Sequence, residues 1–138
     1  MRSFGRFIRT VAATVVAGAV GVAALQAQKP APTASEFYMT YNATMAKAKS
    51  IDELLPFMSK QRVDQVKGTP ADERAMMFEM VKEMAAKNVK VVKETPSAAG
   101  ATLEATGSDP AGGAMKGTIT LVKEAGAWKI DKESWSNK

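Results

Sequence analysis

Neither cysteine nor histidine occurs in this 138-residue chain. Those two absences exclude a disulfide framework, thiolate nucleophiles, imidazole acid–base catalysis, zinc sites built on thiolate or imidazole, and a lipid anchor on cysteine. Acid–base chemistry would fall to carboxylates, tyrosine or lysine. Basic excess is also scarce once the chain is divided. Three of its 19 Lys+Arg are Arg2, Arg6 and Arg9, so the remainder sets 16 against 14 Asp+Glu. The basic isoelectric point thus belongs largely to the first residues and does not mark a nucleic-acid binder.

What is present begins with a targeting pattern. Arg2, Arg6 and Arg9 form an acid-free positive region, Val11 to Leu25 is an apolar run, and Leu25-Gln26-Ala27 offers a small residue for cleavage. Residues 1–27 therefore read as a secretory signal peptide, and the run is shorter than the ~20 residues that span a bilayer. The expectation is a periplasmic or secreted protein with no membrane segment after cleavage. Residues 28–33, Gln-Lys-Pro-Ala-Pro-Thr, form a Pro-rich linker. Residues 34–138 suit one domain held by its hydrophobic core alone.

Helical signals come first in that domain. Thr33-Ala34-Ser35-Glu36 is a capping box, and the helix it opens runs to about Lys49. Phe37, Tyr41, Met45 and Ala48 share a stripe, with Tyr38 at its border. Ser50-Ile51-Asp52-Glu53 reads as a second box starting a short helix. Pro56 forces a restart near Ser59, and Gly68 stops the restarted helix. Thr69 as N-cap with Pro70 at the first helical position starts another, running to about Lys87, where Glu83 and Lys87 form an i,i+4 pair. Met77, Met80, Val81 and Met84 are its expected buried stripe.

The period then changes from helical to alternating. Val89–Glu94 and Ala101–Thr106 read as strands, the latter with Ala101, Leu103 and Ala105 on one face and Glu104 on the other. Gly117–Lys123 and Ala127–Asp131 form a hairpin. A two-residue turn at Ala125-Gly126 sets Leu121 opposite Ile130, with Ile119 and Trp128 on the same face; a three-residue loop with Gly126 left-handed competes. Helices followed by strands define an α+β fold, with N-terminal helices packed on one face of a four-stranded antiparallel sheet.

Phe37-Tyr38-x-x-Tyr41, Leu54-Leu55-Pro56-Phe57-Met58-Ser59 and above all Gly117–Lys132, with its Gly126-Ala127-Trp128-Lys129-Ile130 ending, resemble small exported domains of the nuclear transport factor 2-like (cystatin-like) superfamily. The resemblance implies a curved sheet, a cone-shaped domain, and a pocket between helices and sheet. Its members include enzymes, binding modules and docking domains, so it does not decide function.

Tyr38, Tyr41, Met77, Met80, Met84, Glu104 and Trp128 are the candidate ligand-binding residues. Glu104 with Tyr38 or Tyr41 would serve a pocket-acid enzyme like the steroid-isomerase-like members. The methionines of the Met77 stripe suit a core face, an apolar pocket wall or a thioether site for Cu(I), and sharing a face with Val81 favours the core. Trp128, alternating with Ile130, reads as core, while Trp135 is left open. Asn42-Ala43-Thr44 matches a glycosylation sequon in mid-helix. The expected function is a non-catalytic module binding a small apolar ligand or an envelope protein partner, with no catalytic residues, cofactor or metal. The alternatives are the pocket-acid enzyme and an envelope-associated interaction protein.

Overall fold

The computed structural model describes residues 30–138, so the expected signal peptide lies outside the described residues. Four helices precede four strands: α1 (Ala34–Lys47), a 3-10 helix (Ile51–Phe57), α2 (Lys60–Lys67), α3 (Ala71–Met84), β1 (Lys87–Pro96), β2 (Gly100–Ser108), β3 (Ala114–Glu124) and β4 (Ala127–Asn137). The strands form an open antiparallel meander in the order β1-β2-β3-β4. Ala101, Leu103 and Ala105 of β2, Ile119 and Leu121 of β3 and Ile130 of β4 join Tyr38, Tyr41, Leu54, Met58 and Phe78 in one core. The alternation expected of β2 is therefore realised, and the fold is α+β.

Local chemistry explains most helix ends. The Thr33 hydroxyl accepts from the Glu36 N–H and the Glu36 carboxylate accepts from the Thr33 N–H, a complete capping box. The buried stripe of α1 is Ala34, Tyr38, Tyr41 and Met45, so Tyr38 sits at its centre and Phe37 is only half-buried. The second expected box does not form. Glu53 instead accepts from the Lys49 N–H, Ser50 makes no side-chain cap, and the segment winds as a 3-10 helix with Pro56 inside it. Thr69 likewise does not cap α3; its hydroxyl donates to the Gln65 carbonyl of α2, and Pro70 occupies the cap position.

Helix α3 departs furthest from expectation. It ends at Met84 because Lys87 already pairs with Ser108, so Lys87 lies on a strand and the helical Glu83–Lys87 pair does not exist. Its one buried residue is Phe78; Met77, Met80, Val81 and Met84 are exposed. The periodicity grouped those four correctly, but the arc carrying Phe78 is the one that packs.

The hairpin pairs Leu121 with Ile130 around a two-residue turn, with φ of 51° at Ala125 and 79° at Gly126. Further along, the register shifts: Leu121 faces Ile130, but Thr120 faces Lys132, leaving Asp131 as an extra residue in β4. Because side chains alternate, this bulge turns Glu133 and Trp135, not Lys132 and Ser134, to the face carrying Ile119. Ser59, buried at the N-terminus of α2, clamps it. Its N–H donates to the Ile130 carbonyl at 2.9 Å, and its hydroxyl donates to Asp131 Oδ1 at 2.9 Å while accepting from the Arg62 N–H.

Deleting Asp131 should close the ladder with Glu133 still opposite Ile119 and Trp135 still opposite Gly117, so the fold survives and only the urea midpoint falls, through loss of the Ser59 hydroxyl's acceptor. Ser59→Ala, which loses the cap and the bond to Asp131, should cost about 2 kcal/mol in the same measurement. Ala125→Asn, placing a residue that tolerates positive φ in the turn, should gain roughly 0.5–1 kcal/mol.

Candidate functional site

Three helices and the far half of β4 enclose a cleft of about 310 Å³. Tyr41 and Met45 of α1, Met80, Val81 and Met84 of α3, and Trp135 of β4 supply its apolar surface. Trp135 lies flat on β3 because its pairing partner is Gly117, where a Cβ would stand 2.8 Å from the indole ring. The polar groups are Asn42, Arg62 and Glu133, brought by α1, α2 and β4 respectively. Neighbouring Asn42 and Met45 also border a hollow of about 430 Å³ beside Met39 and Lys82, which lacks an aromatic ring or a carboxylate.

Glu133 is the fixed point of the cleft. Its Oε1 accepts from the Tyr38 hydroxyl at 2.9 Å and from the Trp135 indole N–H at 2.8 Å. Asn42 Nδ2 and Arg62 Nη1 are buried donors without protein partners. A buried Asn42 amide also argues against glycosylation at that sequon. Burial, and then the negative charge of Glu133, push the hydroxyls of Tyr38 and Tyr41 well above the usual phenol range; Arg62 partly opposes this at Tyr41.

The candidates from sequence divide accordingly. Tyr41, Met80 and Met84 come together in the cleft, and Tyr38 stands behind it through Glu133. Met77 is exposed and lines no part of it. Glu104 is exposed on the sheet face opposite Leu103, so the pairing of Glu104 with a tyrosine that the alternative, pocket-acid reading required does not occur. Trp128 is half-buried near the hairpin turn, where its indole donates to the Pro32 carbonyl at 3.0 Å and Lys123 lies over its ring. It is outside the cleft. Sequence reasoning missed Glu133 and left Trp135 open because a bulge carries no local periodic signal; it missed Arg62 because α2 reaches the cleft only through long-range packing. The acid available to a tyrosine is Glu133, 95 residues from Tyr38. Among the described residues, no cluster of three or more Asp or Glu side chains could hold a metal ion, and no helix is long and apolar enough to cross a membrane.

No family model matches this chain, and no curated protein matches it. Among solved structures, a SEC-C motif containing protein from Rhodopseudomonas palustris, determined in solution, has a similar fold. The TM-score is 0.53 at 14% identity, covering 74% of this chain and 77% of that one. That likeness supports the α+β architecture and nothing about activity.

The chain's two tyrosines are both buried and hard to ionise. Their native state keeps protons that the unfolded chain releases above a pH of about 10, so stability falls as pH rises past that value. Absorbance at 295 nm and far-UV circular dichroism should therefore change together, as one transition, in an alkaline titration. Tyrosine ionisation preceding unfolding would contradict the burial.

Proposed function

We propose that this domain is a non-catalytic binding module that takes a small, largely apolar ligand into the cleft between α1, α2, α3 and β4. The observation that carries the reading is the cleft's make-up: Met80, Val81, Met84 and Trp135 form adaptable apolar walls around one anchored carboxylate. Small-molecule sites commonly combine such walls with a few fixed polar groups. The pocket-acid enzyme is less well supported. Tyr38 spends its hydroxyl on Glu133 and does not line the cleft, so the pair does not offer a separate acid and donor to one substrate.

The finer reading of the fold, a cone-shaped nuclear transport factor 2-like (cystatin-like) domain with a curved sheet, belongs to the same proposal. Helices preceding a four-stranded meander support it, as does the bulge in β4, since bulges increase local twist. Periplasmic or secreted location after cleavage near Ala27 rests on Arg2, Arg6, Arg9 and the apolar run Val11–Leu25. An envelope protein as the occupant is the other form of this reading.

The neutral probe N-phenyl-1-naphthylamine tests it in a Trp128→Phe background, where Trp135 is the sole indole. Probe binding should saturate at equimolar ratio and quench Trp135. Val81→Glu, which sets a charge in the apolar wall, should weaken binding about tenfold, or ~1.4 kcal/mol. Unquenched Trp135, or equal binding by the Val81→Glu variant, would overturn the cleft as the site.

A further inference from the structure

Of the seven large hydrophobic residues exposed among the described residues, five are methionine: Met39, Met76, Met77, Met80 and Met84, with Val81 and Val92 completing the set. Leucine, isoleucine and phenylalanine are absent from that set, although Leu54, Leu103, Leu121, Ile119, Ile130 and Phe78 fill the core. Methionine offers adaptable apolar area and good helix propensity, and it also brings a soft donor atom that leucine, isoleucine and phenylalanine lack. Sulfur is what these exposed side chains share.

Four of the five lie on α3. At 3.6 residues per turn, Met76, Met80, Met84 and Met77 fall within an arc of about 100°, spread along about 12 Å of helix. Phe78 points the opposite way into the core, which leaves the arc facing solvent, with exposures of 68% for Met76, 49% for Met77, 55% for Met80 and 67% for Met84. Met80 is one turn from both Met76 and Met77, and one turn from Met84. Met76, Met77 and Met80 thus form a triangle of thioethers within one turn, and Met84 extends it by a further turn beyond Met80. Methionine is unbranched and has three rotatable bonds, so three neighbouring sulfurs on one helix face can swing towards a shared ion. Glu79 and Glu83 are exposed on the same helix and favour a cation in its vicinity.

We propose that α3 carries a thioether site for a soft monovalent cation, Cu(I), formed by Met76, Met77, Met80 and Met84. Soft thioethers select Cu(I) over the hard divalent ions that carboxylates prefer. The site goes beyond the ligand cleft: it shares Met80 and Met84 with the cleft's edge, whereas Met76 and Met77 line no part of it and allow the two to be tested apart.

The experiment uses the chain with ε-¹³C-labelled methionine and Ag(I) as a redox-stable probe, followed by Cu(I) in competition with a bicinchoninate chelator. Equimolar Ag(I) should shift the ε-methyl resonances of Met76, Met77, Met80 and Met84 while those of the buried Met45, Met58 and Met115 stay in place. Met76→Leu/Met77→Leu keeps the apolar surface and the helix propensity but removes two sulfurs. It should lose the equimolar end point for Ag(I) and fail to withhold Cu(I) from the chelator, while N-phenyl-1-naphthylamine binding in the cleft is unchanged. Unmoved α3 methyls in the wild-type chain would overturn the proposal. So would undiminished metal binding by the leucine variant, which would assign the face to apolar docking.

Discussion

One residue out of register, held in place by one buried serine, decides what the cleft contains. Asp131 has no partner on β3, and everything beyond it on β4 is rotated to the opposite face from the one a continuous strand would present. Ser59 stabilises that irregularity from outside the sheet, through its N–H to Ile130 and its hydroxyl to Asp131. The same hydroxyl accepts from the Arg62 N–H and starts α2. The joint thus places Arg62 and Glu133 with respect to each other, on elements far apart in sequence. Two neighbouring bonds reinforce it: Lys60 N–H to Glu124 and Lys129 Nζ to the Pro56 carbonyl.

Legibility in the sequence followed the range of the physics involved. The α1 capping box and the alternation of β2 are local, and so is the Ala125-Gly126 turn that sets the Leu121–Ile130 register; each could be read from a few neighbouring residues. The β4 bulge could not, because it depends on a serine some 70 positions upstream, and reading the strand only to Asp131 left Glu133 and Trp135 unplaced. Two caps failed for a related reason. Ser50 and Thr69 are good capping residues, but Glu53 satisfies the Lys49 N–H and Thr69 turns back to Gln65, so other local bonds took their place.

Helix α3 shows a different limit. Helical spacing establishes which residues share an arc, but the direction of that arc depends on what the rest of the domain leaves open. Four methionines outnumber one phenylalanine, yet Phe78 is the residue that enters the core. Lys82, on the same helix, lies over the Phe78 ring and donates to the Ala48 carbonyl, which ties this side of α3 to the end of α1. The reading of the methionines as core therefore fails for want of a partner surface, and the other two readings, a pocket wall and a sulfur site, are the ones consistent with exposure.

Those two roles divide the helix unevenly. Met80 and Met84 sit where the cleft meets the outer arc, whereas Met76 and Met77 belong to the arc alone. Glu133, on the inner side, has Oε1 engaged by two donors, one from a tyrosine hydroxyl and one from an indole. An oxygen so engaged holds Tyr38, Trp135 and the strand in fixed relation. Oε1 thus shapes the cavity, and a polar contact to a ligand would fall to Oε2. Chemistry at the surface of α3 would instead draw on thioether sulfur, which coordinates soft cations without any proton transfer.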